Sequence, residues 1–373
     1  MLTTVLATLF KPFLRDRFLH VLLLLGGVLT VFQPQKISQF PQFVDWSTIV
    51  TLIGLLMLTK GVEVSGYFDF VGRKMINAIS NERYLALFLV GAAAVLSTFM
   101  TNDVALFIVI PLTITLKKLS TLPVTRLIIF EALAVNAGSL LTPIGNPQNI
   151  LLWNKSGLSF VGFITQMTPL ALVSLLALLM VTWFSFPAAT LKKLENNQGY
   201  PYQKKLLVSC LVMYVVFIGC IDFGVASYGL LAVLVCFMLL ARQVLLRIDW
   251  PLILVFIAMF IDVRLMVGLG AVQGVVEQIV HLSPAGVYAL GIGLSQVISN
   301  VPATILLINY VPPNGLLAYA VNAGGFGLAI GSLANLIALR MANDRHIWLK
   351  FHYYSFPFLV FSGVVGWGLL HLT

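Results

Sequence analysis

The chain has 373 residues, 60% hydrophobic and only 9% charged, with a formal net charge of +9 and a mean hydropathy of +1.00. Soluble domains carry about 25% charged residues, so a soluble protein is excluded, and the apolar runs are too long for tilted barrel strands of about ten alternating residues. The basic residues sit in short clusters between apolar runs, which points to cytoplasmic loops rather than to nucleic-acid binding.

Taken in order, the chain opens with an amphipathic stub, MLTTVLATLFKPFLRDRF. It lacks a small-residue cleavage site and is expected to stay uncleaved in the cytoplasm. Apolar runs follow from His20 to Phe32 and from the Asp45-Trp46 pair to Glu63, then an amphipathic connector with Arg73, Lys74 and Arg83. Next come a long run from Tyr84 to Leu116 with the polar cluster Thr98 to Asp103 at its middle, and runs from Leu127 to Trp153 and from Met167 to Phe186. After the polar linker LKKLENNQGYPYQKK, further runs cover Leu206–Ile221, Tyr228–Leu240, Asp249–Gly270, Ala285–Val311, Leu316–Leu339 and Ser355–Leu370. At about 20 residues per helical span, this is an all-α polytopic membrane protein with roughly ten or eleven embedded segments. Cys210, Cys220 and Cys236 all lie in apolar stretches, so neither a disulfide nor a metal site is expected.

Three segments recur in the same order. VDWSTIVTLIGLLMLTKGVEVSG from Val44 aligns with IDWPLILVFIAMFIDVRLMVGLG from Ile248, and LSTFMTNDVALFIVIPL from Leu96 with LSQVISNVPATILLINY from Leu294. AVNAGSLLTPIGNPQNILL from Ala134 aligns with AVNAGGFGLAIGSLANLIA from Ala320. Ordered matches of this kind indicate internal duplication. The expected division is 1–43 for the stub and first span, 44–190 for repeat 1, 191–205 for a cytoplasmic linker and 206–373 for repeat 2. If 84–116 enters and leaves on one side, all 22 Lys and Arg except Lys36, Lys60, Lys155 and Arg264 fall in cytoplasmic loops, as the positive-inside rule requires. That places the N-terminus in the cytoplasm of a plasma (inner) membrane and the C-terminus outside. It also puts Trp46 and Trp250 on opposite faces, so the repeats are inverted, as in secondary transporters.

The stretch from Tyr84 to Leu116 is too long for one span and too short for two. Two arms of about 15 residues reach only about 22 Å, so its polar tip is expected within the membrane as a re-entrant hairpin. The stretch 285–311 repeats the plan around Ser299-Asn300-Val301-Pro302. Two broken helices complete the pattern, at 127–153 (NAGSLLTPIGNPQN) and 316–339 (NAGGFGLAIGSLAN). Gly and Pro there interrupt the hydrogen-bond ladder, and unwound backbone is tolerated in lipid only where it lines a polar cavity. Free amides at half-helix N-termini attract an anion and free carbonyls can ligate sodium. The neutral ligands expected are Thr101, Asn102, Thr142, Asn146, Gln148 and Asn149 in the first half, and Ser299, Asn300, Ser332 and Asn335 in the second. Gly145 and Gly331 are included as unwound backbone.

These tips and breaks resemble the ion transporter superfamily, which includes arsenite permeases, divalent-anion:sodium symporters, citrate–metal permeases and a sodium–proton antiporter branch. The resemblance covers nearly the whole chain, and TNDVALFIVIPL from Thr101 is most similar to arsenite-permease-like anion permeases. It implies that hairpins and broken helices form a transport domain that moves like an elevator against a scaffold. In the symporter branch both tips read Ser-Asn-Thr and carry substrate and sodium. Here they read Thr101-Asn102-Asp103 and Ser299-Asn300-Val301, without the third hydroxyl; sodium, where it is the coupling ion, is expected at Asn102 and Asn300.

Asp103 is the sharpest candidate, because a carboxylate at membrane depth must be neutral, paired or ligating. Its expected role is coupling, as proton carrier or cation ligand; the plainer alternative is an N-cap for the second arm. Glu131, near Arg126, reads as half of a structural ion pair or a snorkelled acid. Lys60 and Arg264 match across the repeats, with Lys60 three residues from Glu63 on one helix face, and a scaffold salt bridge is favoured. Asp262 is expected to pair with a neighbouring helix. Asn136 and Asn322 also match, either as ligands or as hydrogen-bonders of the interrupted backbone. The five histidines show no ligand spacing. The chain therefore reads as a secondary transporter of a small anion or oxyanion, coupled to proton or sodium, with no cofactor and no enzymatic motif. Its partners would be the anionic substrate and the bilayer, and a homodimer is allowed. The rivals are a cation–proton antiporter and the membrane subunit of an ATP-driven pump; the chain has no GxxxxGK[ST] loop of its own.

Overall fold

Apolar runs that cannot leave backbone groups unpaired in lipid must coil into helices, and the computed structural model of the chain is built from helices. It describes residues 12–14, 16–44, 46–67, 70, 74, 78–79, 81–99, 101–117, 122–191, 202–222, 225–270, 274, 278–308 and 310–372. Most of the stub, much of the connector after Tyr67 and most of the linker at 191–205 lie outside the described residues.

Helix α1 (Arg17–Phe32) is capped by Asp16, whose carboxylate accepts from Leu19 N at 3.0 Å. At Gln33 the chain bends by 120° into a 3-10 turn, Pro34–Gln39, and the short α2 (Phe40–Phe43). Then come α3 (Trp46–Val64), α4 (Glu82–Phe99), α5 (Asn102–Lys117), α6 (Val124–Ser139), α7 (Pro147–Ser156) and α8 (Phe160–Ser185). The second half supplies α9 (Lys204–Asp222), α10 (Ala226–Leu240), α11 (Arg242–Arg247) and α12 (Trp250–Val267). It closes with α13 (Pro284–Ile298), α14 (Asn300–Leu307), α15 (Gly315–Ala323), α16 (Leu333–Met341) and α17 (Ile347–Leu369). Among the described residues α4, α8 and α12 are long and apolar enough, taken singly, to cross a bilayer. The chain is an all-α polytopic membrane protein.

The helices gather into two compact units that cut across the sequence halves. The first comprises Met1–Tyr67 and Pro201–Val276, the second Phe68–Tyr200 and Glu277–Thr373. In the first unit α1 packs on α12, and α9 and α10 pack on α3. Small residues permit this closeness: a Cβ on Gly54 would lie 2.2 Å from the Phe217 ring, and one on Gly61 2.5 Å from Phe237. In the second unit α4 and α5 pack on each other and on α6, α13 and α14 pack on each other and on α15, and α8 lies against α4, α6, α15 and α17.

The breaks predicted by composition fall where helices stop. The first hairpin has arms of 18 and 16 residues, longer than the expected 15 and roughly 27 and 24 Å in length. The second is lopsided, with arms of 15 and 8 residues. The broken helices are interrupted between Ser139 and Pro147 and between Ala323 and Leu333.

Candidate functional site

All four breaks lie in the second unit, and a reciprocal set of hydrogen bonds ties them together. Asn136 of α6 donates its Nδ2 to Asn335 Oδ1 at 2.7 Å, and Asn322 of α15 donates its Nδ2 to Asn149 Oδ1 at 2.7 Å. In the alignment Asn136 matches Asn322 and Asn149 matches Asn335, so the two bonds are one bond made twice with the halves exchanged. The same side chains repeat a second contact, Asn136 Nδ2 to Ala132 O (3.1 Å) and Asn322 Nδ2 to Ala318 O (2.9 Å). They repeat a third, Asn149 Nδ2 to Ser139 O (3.1 Å) and Asn335 Nδ2 to Gly325 O (2.9 Å). Packing is reciprocal too: α16 lies on α5 and α6, while α7 lies on α14 and α15. Contacts in which i meets j and j meets i are what a two-fold relation produces.

The hairpins join the breaks in the same repeated way. Thr98 Oγ1 donates to Gly138 O at 3.2 Å, and its counterpart Gln296 donates Nε2 to Gly324 O at 2.7 Å. Gln296 Oε1 then accepts from Leu328 N at 2.8 Å, while Thr98 O accepts from Thr142 Oγ1 at 2.7 Å. Gln296 thus satisfies Gly324 O and Leu328 N at its break, which would otherwise cost about 1–3 kcal/mol each, whereas Thr98 shares its one hydroxyl proton between Ala94 O at 3.0 Å and Gly138 O, which also accepts from Leu141 N. Neither was singled out from sequence as a support residue; their matched places in the aligned hairpins were the available signal. The contact leaves no room for a side chain on the facing helix: a Cβ on Gly138 would lie 2.0 Å from Ala94 O, and one on Gly324 2.5 Å from Ser295 Cβ.

Around this shared frame the two halves differ. In the first, Asn102 is buried, its N–H donates to Gly145 O at 2.8 Å, and its Oδ1 accepts from Asp103 N at 2.9 Å. Asn146 caps α7 by accepting from Asn149 N at 2.9 Å and donates Nδ2 to Ser139 and to Asn322 Oδ1 at 3.2 Å. Gln148 reaches Asn322 Oδ1 only at 3.5 Å, too long to count for much, and its buried Oε1 has no partner. Thr101 is half-buried beside the tip. Asp103 lies in the first turn of α5 rather than at its cap, and its Oδ1 is buried without a partner.

In the second half, Ser299 precedes α14 with φ 74° and ψ 154°, a conformation essentially confined to glycine and costing of order 1–3 kcal/mol. Among the described residues its buried hydroxyl has no partner, nor has that of Ser332 at the head of α16. Neither α14 nor α16 has a side-chain cap. A Cβ on Gly325 would come within 3.1 Å of Asn300 Nδ2 and 3.7 Å of Asn136 Oδ1, so a tip from one half and a helix from the other meet at this break. Gly331 is equally confined, with Gly324 O 2.8 Å from its Cβ position.

The remaining charged candidates lie away from these contacts. Glu131 is not paired with Arg126: it is fully buried and accepts from Thr113 Oγ1, with its second oxygen unpartnered. Arg126 instead donates Nη1 to Ser185 O at 2.6 Å and stacks on Phe186, because Ser185 ends α8 and offers free carbonyls. Lys60 forms the expected salt bridge with Glu63 at 2.8 Å. Arg264 is exposed. Asp262 is buried against the neighbouring helix α1, with Oδ1 2.5 Å from the Cβ position of Gly26 and Oδ2 without a partner among the described residues.

Residues 8–313 match the family described as citrate transporter, CitMHS. The chain is 59% identical over 363 residues to the inner membrane protein YbiR of Escherichia coli, covering 96% of this chain and 98% of that protein. It is 31% identical over 348 residues to an uncharacterized transporter of Methanocaldococcus jannaschii, covering 88% and 91%. With an uncharacterized transporter of Mycobacterium bovis it shares 26% identity over 337 residues, 80% of this chain and 79% of that protein. The match covers most of its length: the chain belongs to the citrate transporter family of membrane transporters.

Proposed function

We propose that the chain is a secondary transporter of a small anion or oxyanion, coupled to a proton or sodium. One observation carries this reading. At the meeting point of the tips and breaks, the reciprocal frame satisfies the four asparagines, yet Ser299 Oγ, Ser332 Oγ, Gln148 Oε1 and Asp103 Oδ1 stay buried and unpartnered. Buried polar atoms are ordinarily hydrogen-bonded, so orphans on the residues of the tips and breaks suit a ligand. Uncapped N-termini of α14 and α16 add backbone donors, which favour an anion. The family description favours a carboxylate among such anions. Asp103 is the coupling group, taking up a proton or helping to ligate sodium together with Asn102 and Asn300.

The first half's acid has no partner in the second, where Val301 occupies the matching place. Every tip and break belongs to the second compact unit, so that unit is the body that moves, and the first unit serves as the static part of an elevator. We place the protein in the inner membrane with its N-terminus in the cytoplasm, on the strength of the basic residues in its loops. A cation–proton antiporter is the second reading, favoured by the unpartnered carboxylate oxygen of Asp103.

Proteoliposomes of the purified protein test both. Oxyanions and carboxylates are presented with and without sodium while current and internal pH are recorded. One anion is expected to give a signal that falls at least tenfold in D103N. A pH change driven by sodium or lithium alone, with no anion required, would overturn the anion reading in favour of the antiporter.

A further inference from the structure

A second polar feature of the same unit is separate from the tips and breaks. Where α5 ends and α6 begins, a half-enclosed cavity of about 450 Å³ is lined by Lys117, Arg126, Lys350, Tyr353 and Tyr354, among others. Among the described residues, Lys117 and Lys350 form no salt bridge. Two acids lie close by: Asp344, which faces Lys350 and is engaged by the Thr125 hydroxyl at 2.7 Å and by His346 N at 2.9 Å, and Glu82, which faces Arg126. Three cations against two acids leave the hollow net positive, which an anion would neutralise, and both lysines are exposed and able to turn toward it.

The depth of the cavity follows from α8. That helix has 26 residues, roughly 39 Å at 1.5 Å each, enough to cross the hydrocarbon core and emerge. Arg126 holds Ser185 O, the last carbonyl-bearing turn of α8, and Arg83 donates to Phe186 O at 2.9 Å while lying 4.8 Å over Trp183. Cations and amphipathic aromatics gathered at a span's end mark the headgroup layer. Tyr353 is 76% exposed at the same end.

We infer that this cavity binds a phosphate-bearing anion, supplied either by the headgroup of an anionic lipid or by free inorganic phosphate. Basic pockets between helices at headgroup depth suit such groups, and a guanidinium with two ammonium groups matches a phosphate's oxygens. The site makes no demand on the cargo site.

The test uses the full chain in detergent, titrated with dioleoyl-phosphatidylglycerol, dioleoyl-phosphatidylcholine or inorganic phosphate, with thermal unfolding as readout. Phosphatidylglycerol is expected to stabilise the protein more than phosphatidylcholine does, and its half-effective concentration to rise about tenfold in K117Q/K350Q. K117R/K350R should bind like the parent, and K350Q alone should show a smaller rise should the double variant fold poorly. Loss of an inorganic-phosphate effect in K117Q/K350Q, without a phosphatidylglycerol effect, would uphold the site and make the soluble anion its ligand. The inference is overturned when neither anionic probe binds the lysine variants more weakly than the parent.

Discussion

The two broken helices of the second unit use one frame and fill it differently. On both sides an asparagine in the first half-helix donates across to an asparagine in the other break, and on both sides a hairpin side chain secures the carbonyl of a glycine. What surrounds the frame is not repeated. The first half supplies Asp103, a capped α7 and Gln148; the second has Val301, uncapped helices and a strained Ser299. Features that both halves share serve the fold in both places, here the satisfaction of backbone at the breaks. Features present in one copy only are free of that demand and can serve a ligand. The comparison separates the residues that both halves share from those that only one half has.

The widest effect should come from cutting the frame. N335L removes the acceptor of Asn136 Nδ2 and the donor to Gly325 O, leaving two buried groups at about 1–3 kcal/mol each. A loss of about 2–4 kcal/mol is expected in unfolding of the purified protein, and N149L should lose at least as much, since Asn149 also lies near Leu140 O and Thr142 O. Double-mutant cycles sharpen the point. The coupling between Asn136 and Asn335 should equal that between Asn322 and Asn149 to within about 0.5 kcal/mol. Clearly unequal couplings would dissolve the two-fold account.

Steric tolerance should break the equality in a known direction. At Gly138 a methyl group meets the backbone oxygen of Ala94 at 2.0 Å, whereas at Gly324 the nearest obstacle is the Ser295 side chain at 2.5 Å. That obstacle is the Ser295 Cβ, which moves only with its helix, so both contacts demand a shift and the closer one costs more: G138A should destabilise by about 3 kcal/mol and G324A by about 1–2 kcal/mol. Equal losses would mean that the two hairpin–helix contacts are the same in kind.

Much of this frame could be read from residue order. The apolar runs announced helices, and Pro and Gly inside them announced the breaks at 139–147 and 323–333, because both residues act on the backbone locally. Partner choice was not legible. Glu131 sits five positions from Arg126 in sequence, yet it binds Thr113 on α5, because Arg126 finds free carbonyls at the end of α8. The 120° turn after α1 was hidden in the same way, since Gln33 donates to Leu265 O of a helix far along the chain. Asn136 and Asn322 stood out by alignment, but nothing local said that each would reach the other half's asparagine. Local rules place breaks; only the folded chain places partners.

The smallest effect should be the most informative about the unshared set. Ser299 holds φ 74° with ψ 154°, and its hydroxyl, 0% exposed, makes no hydrogen bond. A residue kept only for folding would not combine backbone strain with an unpaired buried hydroxyl, since glycine relieves both. S299G should therefore stabilise the protein by about 1 kcal/mol, visible as a raised unfolding midpoint. T101G, at the matching place in the first hairpin, relieves no such strain and should not stabilise. If the serine is retained for its hydroxyl, the stabilised S299G protein transports its anion more slowly or with a higher half-saturating concentration. A gain in stability with unaltered transport would assign Ser299 to the frame and remove it from the ligand set.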